Sequence, residues 1–157
     1  VILTLAFFHG TRIFSRVIEY VSFGPYSHVA AVWSPTEYLD SYESKVGDIP
    51  PGVHIRPMKL EPDPHTLMTL EVTTAQYAVW QRFLAAQVGL PYDWPGIFGM
   101  ATDRDWRQPG SWFCSELQAA ALEEAGICPK LVTPLNKVTP AALAMTFSAL
   151  KATVVQT

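Results

Sequence analysis

The sequence predicts an α+β fold in which an antiparallel sheet packs against helices. Strand-like segments crowd the first half of the chain, whereas helical spacing dominates the second. The link Ser34-Pro35-Thr36 between two of the early strands is too short for a crossover helix, so those neighbours should run antiparallel. The 157 residues, 49% of them apolar, suit a single domain over 1–157 with a core of its own.

The apolar opening Val1-Ile2-Leu3-Thr4-Leu5-Ala6-Phe7-Phe8 reads as a buried strand. It is too short to span a bilayer and lacks the basic flank and cleavage site of a signal peptide. The chain begins at Val1 rather than Met, which leaves room for an upstream segment. Residues 11–23 place Ile13, Phe14, Val17, Ile18 and Val21 on one helical face, and Gly24-Pro25 ends the run. Residues 27–33 and about 37–42 read as strands joined by Ser34-Pro35-Thr36.

Two further strands are expected over 52–58 and 66–73, set apart by turns containing Pro and Asp. A helix follows over 74–88, with Thr73 or Thr74 as N-cap and Gly89 as stop. A second helix is expected over 115–125, ended by Gly126. A third covers 140–150, with Thr139 as cap and Pro140 in its first turn. Residues 152–155 close the chain as an edge strand.

Composition excludes several functions. A net charge of -3 gives no basic surplus for phosphates, which argues against a nucleic-acid partner. Two cysteines are too few for a disulfide framework and leave the compartment open. No Cys-x-x-Cys or His-x-x-x-His pairing, phosphate loop or Gly-x-Ser-x-Gly elbow occurs, so neither metal nor cofactor is expected.

Cys114 stands where Gly110-Ser111-Trp112-Phe113 runs into a helix, and the positive end of a helix dipole favours a thiolate. Of the four histidines, His28 lies in a strand, where alternation sets it on one face with Ala30 and Val32. Taken alone, each also fits a packing role, since free cysteines and strand histidines are ordinary core residues. Cys128, between Ile127 and Pro129 after a helix, reads as packing.

Together the two carry a resemblance. The stretch His9-Gly10-Thr11 through Ser15-Arg16-Val17-Ile18-Glu19-Tyr20 to Gly24-Pro25-Tyr26-Ser27-His28-Val29 resembles the opening of circularly permuted NlpC-type cysteine hydrolases. Trp112-Phe113-Cys114-Ser115-Glu116-Leu117 resembles their nucleophile segment. The usual order in this papain-like superfamily is cysteine then histidine; here His28 comes first, as in the permuted branch. The resemblance runs from about His9 to Gly126 and implies a single permuted NlpC-type catalytic domain.

It further implies that Cys114 is the nucleophile, that His28 is the base, and that a polar residue on the next strand orients the imidazole. Asp40 is the choice for that third role, with Glu43 and His54 as rivals; a solvated carboxylate near a turn is an equally ordinary reading of Asp40. Tyr26, Tyr92 and Trp112 are candidate substrate-binding neighbours, although each also fits plain packing. The Cys114 backbone N–H is one candidate oxyanion donor. Glu116, in the first turn, reads as a helix-stabilising carboxylate.

Residues 92–112 hold Trp94, Trp106 and Trp112 among Pro and Gly, a composition that suits a groove wall or inward packing. The expected function is cofactor-free hydrolysis of an amide, with a peptidoglycan peptide as the leading substrate. Two alternatives stand beside it: a lipid-directed thioesterase or acyltransferase of the lecithin retinol acyltransferase-like branch, and a non-catalytic module that binds a protein partner.

Overall fold

The computed structural model describes residues 1–10, 24–61, 63–95, 110–130 and 134–155. Its architecture is α+β, a six-stranded antiparallel sheet with three α-helices among the described residues. The strands are β1 (Ile2–Phe8), β2 (His28–Ser34), β3 (Glu37–Tyr42), β4 (Gly52–Pro57), β5 (His65–Glu71) and β6 (Thr153–Val155). In space they run β4-β3-β2-β1-β5-β6. The helices are α1 (Thr74–Gln87), α2 (Cys114–Glu124) and α3 (Pro140–Ala149). The helix expected over 11–23 lies outside the described residues.

The apolar run that opens the chain becomes a central strand, flanked by β2 and β5. Leu3, Leu5 and Phe7 join the main core with Leu117, Leu122, Trp80, Leu84 and Phe147 from the helices, while Ala6 and Phe8 join Ala30 and Tyr38 in a second cluster. Both faces of β1 are therefore covered, which is why its sequence does not alternate between apolar and polar residues.

Alternation then sorts the neighbouring strands. Val29, Ala31, Leu39 and Val53 face the helices, whereas Ala30 and Tyr38 face the other side. α2 packs across β2 and β3 and against α1. Each of its residues from Cys114 to Leu122 is buried, so it is a core helix that reaches water only at its last residues, Glu123 and Glu124.

Element ends follow local chemistry. Thr73 caps α1 through a capping box with Gln76, which takes Thr73 out of the expected strand and ends β5 at Glu71. Thr139 caps α3, with Pro140 in the first turn. Met58 opens a 3-10 turn, Met58–Leu60, so β4 stops at Pro57. A second 3-10 turn, Leu135–Lys137, leads into α3. The sequence pattern signalled neither turn, since a single helical turn is too short to show periodicity.

Candidate active site

His28 is the first residue of β2 and Cys114 the first of α2, so the two side chains stand at the starts of elements that pack together. Three polar ties seat the helix start. Ser41 Oγ donates to the Trp112 carbonyl at 2.6 Å, Ser115 Oγ to the Val138 carbonyl at 2.6 Å, and Gln118 Nε2 to the Leu39 carbonyl at 3.1 Å. Ser41 and Leu39 belong to β3, the strand that also carries Asp40. One strand thus anchors the cysteine helix with its helix-facing residues and offers Asp40 to His28 on the other face.

The His28 ring Nε2 lies 2.8 Å from Asp40 Oδ2. An ionised carboxylate only accepts, so Nε2 carries the proton and donates, leaving Nδ1 available to the thiol. Asp40 is wholly buried, and His28 and Cys114 are 7% and 3% exposed. Tyr42 presents its ring edge-on to the imidazole at 4.9 Å, and Phe8 flanks it at 5.5 Å. The Asp40 hydrogen bond and these two aromatic neighbours hold the ring.

Electrostatics favour the charged imidazole. Burial alone would lower the His28 pKa, but the charge of Cys114, the hydrogen bonds to Asp40 and Cys114, and the Asp40 charge outweigh it and push it up to about 10. Burial would likewise raise Asp40, yet the Arg56 guanidinium and the His28 hydrogen bond hold its carboxyl below the usual range. The ring lies between a carboxylate and a sulfur, both of which favour its charged form. Cys128 is different: burial, then Glu123, pushes its thiol up to about 11, and it packs in the core.

The other candidates take separate places. Tyr92 is buried, and its phenol is pushed well above 10 by burial and by the charge of Cys114, so it stays protonated within the field of the sulfur. Tyr26 packs on Phe7 at 5.3 Å and on His9 at 4.9 Å. Trp112 turns its indole toward α1, donating to Gln87 Oε1 at 3.0 Å and meeting Phe83 edge-on. His54 stands opposite Asp40 in the β3–β4 register; it is Asp40 that accepts the hydrogen bond from the His28 imidazole. Glu116 is 3% exposed. Of the tryptophan-rich stretch, residues 96–109 lie outside the described residues.

Arg56 was not anticipated from the sequence. Its Nε lies 3.0 Å from both Asp40 oxygens, and its Nη2 lies 2.6 Å from Asp40 Oδ2 and 2.9 Å from Glu61 Oε2. The signal was alternation: Arg56 shares a face with His54, and in register that is the face of Tyr38 and Asp40. Among the described residues no group of three His, Cys, Asp or Glu side chains is placed to hold a metal ion, and no helix is long and apolar enough to cross a membrane.

Comparison with protein-family models finds no match, and comparison with curated proteins finds no significant one.

Proposed function

We propose that this protein is a cysteine hydrolase of the circularly permuted NlpC type, with a papain-like arrangement of the sheet and the cysteine helix. One observation carries the reading: a buried His28 hydrogen-bonded to Asp40 at 2.8 Å, its charged form stabilised by Cys114 at the first position of a helix. Such a pairing of sulfur and imidazolium is what a thiol nucleophile requires.

In the proposed reaction Cys114 Sγ attacks the scissile carbonyl carbon, forming a C–S bond while the carbonyl oxygen takes the negative charge. That oxygen lies near the N-terminus of α2, where backbone N–H groups lack intrahelical partners. Collapse of the intermediate breaks the C–N bond, and His28 delivers its proton to the departing amine. Water then attacks the thioester, passes a proton to His28, and releases the acid with the sulfur restored. Asp40 holds the ring in one tautomer throughout.

The resemblance supplies the substrate class, an amide in a peptidoglycan peptide. Purified peptidoglycan and acyl-lipid esters, each incubated with wild type and Cys114→Ala, test the reading. New amino termini released from peptidoglycan by wild type alone support it. Turnover of the lipid alone moves the protein to the thioesterase branch, and turnover of neither, with no preferential alkylation of Cys114 over Cys128, leaves a binding module.

A further inference from the structure

We infer that Arg56 is a positioning residue of this site, clamping the Asp40 carboxylate in the orientation that hydrogen-bonds His28 and itself locked by Glu61 and the Tyr42 ring. The inference rests on the cysteine-hydrolase reading for its functional meaning. Its geometry stands separately.

A carboxylate can turn about its Cβ–Cγ bond, and one hydrogen bond to an imidazole does not stop it. Arg56 does so by approaching both oxygens, with Nε at 3.0 Å from each and Nη2 at 2.6 Å from Oδ2. Oδ2 is also the oxygen that accepts from His28. Strand geometry makes the grip available: Arg56 pairs with Tyr38 and His54 with Asp40, so Arg56 reaches Asp40 diagonally on the same face.

The clamp is held in turn. Glu61, at the end of the 3-10 turn, accepts from Nη2 at 2.9 Å, and the guanidinium carbon lies 4.5 Å from the Tyr42 ring centroid and 5.5 Å from that of Tyr38. Tyr42 is also the ring set edge-on to His28, so one aromatic contacts both cations. Only 1% of Arg56 is exposed.

Stability does not account for such an arrangement, because buried ion pairs often contribute little net against apolar residues of the same size. Charge and orientation do. The groups around Asp40 are His28 from β2, Arg56 and the half-buried His54 from β4, Tyr38 from its own strand, and Tyr92; Tyr42 and Cys114 face His28, and Glu61 faces Arg56. Two carboxylates, Asp40 and Glu61, meet one guanidinium, so these four groups are neutral together only when His28 carries its proton. A lysine would bring charge without the planar fork.

The test measures the pH dependence of Cys114 alkylation by iodoacetamide in wild type, Arg56→Met and Arg56→Lys, beside the His28 ring signals in ¹H–¹⁵N correlation spectra. Removing the guanidinium should move the acid limb of the alkylation profile up by about one to three pH units, since Asp40 then protonates earlier. The His28 Nε2–H signal should broaden over the same range. Arg56→Lys should keep the acid limb near wild type while its plateau rate falls several-fold.

Profiles and ring signals like wild type in a folded Arg56→Met overturn the inference. If that variant does not fold, a wild-type plateau in Arg56→Lys overturns it. Slow alkylation of Cys114 in the wild type itself sinks the hydrolase reading instead, and the His28 signals alone then decide the role of Arg56.

Discussion

The His28 Nε2 and the Asp40 Oδ2 meet at 2.8 Å across adjacent strands, with the carboxylate wholly buried. Because a carboxylate only accepts, this contact sets which ring nitrogen keeps its proton when the ring is neutral. Asp40→Asn offers an amide that can turn either its oxygen or its NH2 toward the ring, so the tautomer is no longer specified. For the proposed hydrolysis the expected loss in kcat/KM is about 10²- to 10⁴-fold, the range of general acid–base catalysis. A wild-type rate in Asp40→Asn would remove Asp40 from the mechanism.

Cys114→Ala should lower the His28 pKa. The charge of Cys114 is the strongest influence raising it, and without the sulfur burial is opposed by Asp40 alone. Titration of the ring carbons by NMR in both proteins checks this, with a midpoint well under about 10 expected in the variant. An unchanged midpoint would show that sulfur and ring do not interact.

Stability should fall on the alkaline side. His28 has a raised folded pKa, so its contribution is fully present below the ordinary 6.5 and is lost as pH rises toward about 10. The difference in unfolding free energy between wild type and His28→Gln should shrink by the order of a few kcal/mol across that window, read by urea denaturation followed by circular dichroism. Asp40 has the opposite sign. Its depressed pKa contributes stability above the ordinary 3.8 that is lost as pH falls through the lower folded value.

Gly52→Ala should destabilise the protein by about 1–3 kcal/mol. Its φ is 131°, and a Cβ there would lie 2.5 Å from the Leu90 carbonyl oxygen. That same oxygen accepts from Val53 N, and Gly89 N donates to the Val53 carbonyl, so β4 is laced to the segment leading to Tyr92. Chemical denaturation gives the loss, and Tyr92 should shift with it in NMR spectra. A neutral substitution would mean that the 89–92 segment yields freely.

Much of this was legible in the residues because local rules sufficed. The capping box at Thr73, the Thr139-Pro140 start of α3 and the short β2–β3 connector each specify a boundary by contacts within four residues. Alternation placed His28 on the face of Ala30, and the helix start put Cys114 at an N-terminus. The antiparallel sheet and its helices followed from those signals.

Tertiary structure decided the rest. Which of Asp40, Glu43 and His54 reaches the imidazole depends on the pairing of β2 with β3, and one residue of slip would turn Asp40 toward the helices. Arg56 and Glu61 join the cluster only through the β3–β4 register and a 3-10 turn that no periodicity announces. Trp112, two residues before Cys114 in the sequence, turns to α1 because Gln87 and Phe83 receive it there. By itself the sequence determined which elements form and which residues begin them, since propensity, capping and periodicity act over a few residues. Which side chains meet was left to strand register and burial, whose partners lie far apart along the chain.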